Sequence, residues 1–394
     1  MSSLPLKPGW TIMKFGDFVE HIREQVQPIP EDSEHYIGLE HLDSGSLHVK
    51  HWGTDIELKG QKQRMKKGDL LFAKRNAYLR RIAIAPHDGL FSAHGMIFRP
   101  IPQNVLPEFL PFFLQSDTFM NRAIAISVGS LSPTINWSTL KSQEFPLPPK
   151  DEQRRIAEIL WAADKVIEDW RLVKENLISS QNAILNNTLL VNSNKKNCGW
   201  KIVPLKNVAK IQTGIAKGKS YKNTNIKELP YLRVANVQDG YLDLSEIKTI
   251  CVAEHEIERY SLKYGDVLLT EGGDFDKLGR GTIWRGEVPN CLHQNHVFSV
   301  RTDTSVLIPE FLSYQTGSLY GRRYFLKCSK KTSNLASINS TQVKGFPVLL
   351  PSITEQQRLI NLIRPIEEHK SQIFEYLTAL ENLKKSIICR LLIQ

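Results

Sequence analysis

The chain is 394 residues long, which suits two or three domains, each large enough to bury its own core. Its 51 Lys+Arg outweigh 41 Asp+Glu, giving a formal charge of +10 and a pI near 9.2, a balance that favours a polyanionic partner. The five cysteines, Cys198, Cys251, Cys291, Cys328 and Cys389, are odd in number and form no C-x-x-C pair, so neither a disulfide framework nor a zinc site is indicated. With no charged leader ahead of an apolar run and no apolar stretch of about 18 residues, the expectation is a soluble cytoplasmic protein without a membrane partner.

The pattern is written twice. Gly9-Trp10-Thr11-Ile12 opens one copy and Gly199-Trp200-Lys201-Ile202 the next. The order is then kept: Tyr36-Ile37-Gly38 by Tyr231-Leu232-Arg233, Lys67-Gly68-Asp69-Leu70 by Tyr264-Gly265-Asp266-Val267, Pro107-Glu108-Phe109-Leu110 by Pro309-Glu310-Phe311-Leu312, and Glu152-Gln153 by Glu355-Gln356. Solenoid repeats run about 20 to 50 residues, so this much longer period describes a duplicated globular domain. The elements predict a mixed α/β chain: a globular domain over 1–150, a long helix over 151–192, a second globular domain over 193–351 and a last helix over 352–394.

In the first domain, the apolar run Asp69–Ala73 reads as a strand, and Pro107-Glu108-Phe109-Leu110 as a helix start. Lys74, Arg75, Asn76, Tyr78, Arg80 and Arg81 follow the strand, and a loop leaving a strand end displays the groups that read base edges and hold phosphates. After the stops Pro146, Pro148 and Pro149 the chain turns helical. Ile156, Ala163, Trp170, Leu177 and Ile184 recur every seven residues, with Ile159, Val166 and Val173 three positions on, a heptad seam.

The second domain carries Gly214-Ile215-Ala216-Lys217-Gly218-Lys219-Ser220, with three residues between its glycines where the Walker loop has four. The deficit breaks the ring of backbone N–H groups around a phosphate, so Lys217 and Lys219 fit a basic DNA-facing loop better. The strand Asp266–Thr270 is followed by Gly272, Gly273, Asp274, Lys277 and Arg280, a loop unlike its counterpart although the strands agree. Cys291, His293 and His296 lack a fourth ligand at a zinc spacing. Asn295, between the histidines, is either an adenine reader or the polar flank of a buried strand over Val297–Val300. Lys330, Lys331, Ser333 and Asn334, aligned with Ser127, Ser130 and Ser132, form a second candidate surface. For each of these residues a solvated loop is the plain alternative. Leu359, Ile366, Ile373, Leu380 and Ile387, with Leu362, Tyr376 and Leu383 between them, repeat the heptad seam, and Pro365 predicts a kink or a late start.

The chain resembles the specificity subunits of Type I restriction-modification systems. The resemblance rests on the doubled order of domain and helix, on the helix entry from Phe145-Pro146 to Glu152-Gln153-Arg154-Arg155-Ile156 with its echo from Phe346-Pro347 to Glu355-Gln356-Gln357-Arg358-Leu359, and on the two Gly-Asp strands. It implies two target recognition domains, each reading half of a bipartite double-stranded DNA sequence. The two long helices would pair as an antiparallel coiled coil, hold the domains apart and dock two copies of an adenine methyltransferase subunit. Restriction and translocase subunits would join them. The chain itself would catalyse nothing and bind no cofactor, with S-adenosylmethionine, ATP and Mg on the partner subunits. The residues agree, since no Asn-Pro-Pro-Phe or Asn-Pro-Pro-Tyr and no G-x-G-x-x-G after a strand is present. A DNA-modifying enzyme with an unfamiliar site, or a basic coiled-coil adaptor, are the alternatives; labelled S-adenosylmethionine and a salt-dependent DNA shift separate them.

If the helices act as a ruler, four residues inserted near Ser180 add about 6 Å at about 1.5 Å per residue. The same half-sites are then read with a spacer one or two pairs longer, given about 34 Å per turn of about 10 base pairs. Recognition of the original spacer by a folded inserted protein would end the ruler model.

Overall fold

The computed structural model describes residues 6–194, 199–218, 225–273, 278–331 and 336–392. It divides into two compact units, Met1–Arg171 with Glu375–Gln394, and Leu172–Phe374. Each unit therefore holds one globular part and a portion of each long helix.

In the first unit, Val19–Ile22, Met96–Pro100, Leu70–Phe72 and Ile82–Ile84 form an antiparallel sheet in that order. Successive strand residues point to opposite faces, and here both faces are covered. Leu70 and Phe72 enter a core with Phe15, Phe98 and Phe119, while Leu71 enters another with Ile37, Phe91 and Ile97. That explains the unbroken apolar run. A second sheet follows the order Gln25–Val26, Lys62–Met65, Gly89–Phe91 and Tyr36–Ile37, its last pair parallel.

The second unit repeats the plan with Ala209–Thr213, Val297–Thr302, Val267–Thr270 and Gly281–Ile283. Leu268 again faces away from Val267 and Leu269, into a separate cluster with Leu232 and Trp284. Tyr231–Leu292 pairing is parallel, as is Tyr36–Leu90. The first strand of each unit also pairs with the strand just before its helix: Thr11–Lys14 with Glu144–Leu147, and Lys201–Pro204 with Pro347–Leu350.

The repeated Gly-Asp has a physical cause. Gly68 and Gly265 stand at φ +89° and +88°, a left-handed turn that a side chain would strain. The next residue closes the turn and anchors the sheet. Asp69 accepts from Lys66 N at 2.8 Å and from Arg99 Nε and Nη2 at 2.6 and 2.9 Å. Asp266, fully buried, accepts from Lys263 N at 2.9 Å, Ser299 Oγ at 2.9 Å and Arg301 Nε and Nη2 at 2.7 Å each.

The helix entries are clasped in the same way twice. Buried Gln153 accepts from Leu106 N at 2.8 Å and donates to Pro148 O at 2.9 Å; buried Gln356 accepts from Ile308 N at 2.9 Å and donates to Pro351 O at 3.1 Å. The neighbouring glutamates receive the opening tryptophans, Trp10 Nε1 on Glu152 at 3.0 Å and Trp200 Nε1 on Glu355 at 3.1 Å.

The central helix runs Lys150–Asn194 and the C-terminal helix Ile353–Leu392; the latter does not start late but continues unbroken through Pro365, which lies on an exposed face where water can serve the carbonyl it leaves without a donor. Within each unit they pack antiparallel. In the first, Asp164 meets Lys384, and Trp170 meets Tyr376 edge-on at 5.2 Å; in the second, Gln181 meets Glu367 at 3.3 Å and Lys370 at 2.6 Å. The seam differs from the expected one by a single position. Its buried members on the central helix are Ala157, Leu160, Asp164, Ile167, Gln181 and Leu185, whereas Ile159, Val166 and Val173 are exposed, as are Leu362, Tyr376 and Leu383. Of the expected heptad positions, Ile156, Leu359 and Ile373 are buried, while Ala163, Trp170, Leu177, Ile184, Ile366, Leu380 and Ile387 are half-buried, Trp170 against Tyr376 and Ile184 and Ile387 against the globular cores. Paired charges occupy seam positions, and a search for apolar sevens passes over them.

Each seam acid also reaches its globular part. Asp164 accepts from His48 Nε2 at 2.6 Å, and Glu367 accepts from Tyr314 Oη at 2.8 Å. The Asp164 hydrogen bond raises the His48 pKa above its usual value. Burial pushes the Asp164 carboxyl up, but the His48 bond and the Lys384 ammonium outweigh it and leave the carboxyl low.

Two outcomes are expected. A raised histidine pKa contributes stability that is complete below the unfolded value near 6.5 and is lost as pH rises through the folded value. The gap in thermal midpoint between parent and His48→Ala is therefore widest near pH 6 and narrows toward pH 9; a gap that widens with pH refutes the assignment. Asp266→Ala leaves the Arg301 guanidinium without its partner and costs about 3 kcal/mol in urea unfolding.

Candidate nucleic-acid interface

In the first unit, the chain leaving the strand Leu70–Phe72 runs beside the loop that precedes Ile135. Ile135 N donates to Lys74 O at 3.0 Å, Asn76 N to Pro133 O at 2.8 Å, and Arg75 Nη2 to Ser132 Oγ at 3.2 Å. In the second unit, Ala336–Ser337 pairs with both Gly272–Gly273 and Lys330–Lys331. The two surfaces expected separately from sequence are thus one surface in each unit.

Around Lys74 and Arg75 the charges are of one sign. Arg23 donates to His21 Nδ1 at 3.0 Å, while His21 Nε2 is buried with no partner. Burial, then Arg23 and Lys74, take the His21 pKa down to about 4. Burial and Arg23 lower Lys74; burial, Arg75, Lys74 and Lys62 lower exposed His94. Groups that depress one another in this way mark a positive field not cancelled locally, which suits phosphate. Arg23, Lys62, His21 and His94 were missed in the sequence because they come from three separate stretches that only the sheets bring together.

The arginines further along are engaged elsewhere. Arg80 ion-pairs with Asp117, and Arg81 donates to Leu39 O at 3.2 Å. Arg280 does in the second unit what Arg81 does in the first: its Nη2 donates to Val234 O at 3.3 Å, and its Nη1 to Gln238 Oε1 at 3.1 Å. A contact made alike in both repeats fastens the scaffold and cannot distinguish two sequences. Arg80 adopts φ +52° where the second repeat has Gly279 at φ +66°. Tyr78 is exposed.

In the second unit, Ile215 N donates to His293 O at 2.8 Å and Asn295 N to Ile215 O at 2.9 Å. A Cβ on Gly214 would lie 1.9 Å from His293 O, so glycine is required for this joint. It sets exposed Lys217 beside half-buried Asn295. His296 pairs with Glu271, whose carbonyl accepts from Ile338 N at 2.7 Å, next to exposed Lys330. Lys217, Asn295, His296 and Lys330 therefore belong to one region. Lys219, Lys277, Ser333, Asn334 and the Lys331 side chain lie outside the described residues.

His293 faces inward, its Nδ1 2.7 Å from Val297 O, with burial taking its pKa down to about 4; burial pushes the Cys291 thiol up to about 12. Among the described residues no group of three or more His, Cys, Asp or Glu is placed to hold a metal, and no helix is long and apolar enough to cross a membrane.

The backbones of the repeats also correspond position for position at the rim. Ser92 N donates to Ile37 O and Gln294 N to Leu232 O, so His94 and His296, two residues on, occupy the same turn. Beside them stand Lys74 and Arg75 in one repeat and Glu271 and Gly272 in the other. One scaffold carrying two unlike rims is the arrangement of a chain that reads two different surfaces.

The family model for the Type I restriction modification DNA specificity domain matches residues 8–174 and 197–391, and the chain belongs to this family. It is a specificity subunit, the non-catalytic, target-recognising component of a Type I system. The EcoKI specificity subunit of Escherichia coli K12 is 23% identical over 99% of this chain and 90% of its own length; the StySPI specificity subunit of Salmonella potsdam is 23% identical over 77% and 68%. The S subunit structure from M. genitalium aligns at TM-score 0.56 and 14% identity over 100% of this chain and 98% of that one. A chain from a structure of type I complex assembly aligns at 0.52 and 20% over 98% of each.

Proposed function

We propose that this chain reads a bipartite duplex, one half-site per repeat, and carries two copies of an adenine methyltransferase subunit on its helices, to which restriction and translocase subunits are added. The observation that carries this reading is the matched turn with opposite chemistry beside it, Lys74 and Arg75 against Glu271 and Gly272. The first repeat offers Lys74, Arg75, Arg23 and Lys62 to phosphates. The second offers Lys217, Asn295 and Lys330, with Lys219, Lys277, Lys331, Ser333 and Asn334 proposed from sequence alone.

Two equal partners are supported by exposed apolar side chains on both long helices. Exposed Ile159 recurs as exposed Leu362 at the same place in the repeat, with exposed Val166 and Val173 on the central helix and Leu383 on the C-terminal helix, and apolar side chains outside the buried seam suit docking. In this reading S-adenosylmethionine, ATP and Mg belong to the partners, and the complex is cytoplasmic.

The test is DNA binding by the chain purified with its methyltransferase, measured across a salt series. Lys74→Ala and Arg75→Ala each weaken binding and lower the salt slope by about 1. Arg81→Ala and Arg280→Ala leave the slope unchanged and lower the thermal midpoint. Loss of slope in the second pair but not the first would reassign the surface, and absence of any DNA shift by the parent complex would end the reading.

A further inference from the structure

Between Ile126 and Ile135 of the first unit the chain makes a loop whose apolar residues divide sharply. Ile124, Ile126 and Ile135 pack on the core, yet Val128 is 69% exposed and Leu131, at the far turn, is 95% exposed. The loop is fastened beneath them. Val128 and Thr134 exchange backbone hydrogen bonds at 3.0 and 2.9 Å, Thr134 Oγ1 donates to Ser132 O at 3.0 Å, and Gly129 takes φ +114° to make the bend. Arg75 pairs with Thr134 as an isolated bridge and donates to Ser132, so the foot of the loop is the cationic surface of Lys74, Arg75 and Arg23.

An apolar tip ringed by cations matches a partner that is anionic outside and apolar within. Duplex DNA is such a partner, because its stacked bases lie behind two rows of phosphates and apolar side chains enter between base steps. A protein face would call for a broad apolar surface, whereas only two residues stand out here. We propose that Leu131 is a wedge that enters the base stack of the first half-site while Arg75, Lys74 and Arg23 hold the flanking phosphates. This rests on the DNA-reading function proposed above. It assigns one defined task to one side chain: parting a base step within the half-site read by the first repeat.

The experiment uses the full chain with its methyltransferase subunit. The adenines this complex methylates define the target, and the probes are duplexes carrying that target with 2-aminopurine at successive positions other than those adenines and their neighbours, where the methyltransferases themselves unstack a base. The parent brightens 2-aminopurine at one step of a single half-site. Leu131→Ala abolishes the brightening and weakens binding about tenfold while the salt slope stays that of the parent, and Leu131→Met, still long and apolar, keeps both. Binding by the parent without brightening would overturn the wedge and leave the DNA reading standing, whereas no binding at all would remove both. Leu131→Ala with parental brightening overturns the proposal, and a loss of methyltransferase during purification of that variant would instead make the loop a protein contact.

Discussion

The structure depends on a buried glutamine at the head of each long helix. Gln153 and Gln356 accept from the turn before the Leu110 and Leu312 helices and donate to the proline carbonyl behind them. A neutral amide is suited to this place, since it donates and accepts at once and carries no charge that burial would penalise. Beside it the glutamate takes the indole N–H of the residue that opens the repeat, so the beginning of each globular part and the beginning of its helix are joined by one pair of adjacent side chains. The first turn of each helix is thereby fixed to its own globular part.

The same economy governs the rim. The Gly-Asp turn, the arginine on the Leu39 or Val234 carbonyl and the histidine turn recur in both repeats, which leaves the neighbouring positions free to differ. Scaffold is what the two halves share, and the rim is where they part. Lys74 and Glu271 stand at the ends of equivalent strands with opposite charge, a substitution that the sheets beneath do not register because both groups sit outside the ladder.

Much of this was legible in the sequence. The doubling, the Gly-Asp strands and the helix entries were visible because each is a local pattern with a local cause: a left-handed turn, a capped strand, a proline stop. The seam differs by one position because polar Asp164, Lys384 and Gln181 are buried in it, paired with one another or with half-buried Glu367, and such pairing has no hydropathy signature. Arg80 and Arg81 looked like readers because a basic loop gives no sign of which guanidinium is already spoken for, in this case by Asp117 and by Leu39 O. Arg23, Lys62 and His94 gave no signal, being neighbours only across the sheets.

The pairing of first and last strands carries one more consequence. In each unit the strand entering the globular part, Thr11–Lys14 or Lys201–Pro204, lies hydrogen-bonded against the strand leaving it. Entry and exit are side by side, so a globular part is inserted into the polypeptide as a closed cassette. Recombination that exchanges the segment between these two strands replaces the rim while keeping the join intact. A segment exchanged between these two strands would meet the same strand partners whatever rim it carried, so the whole surface could change in one step.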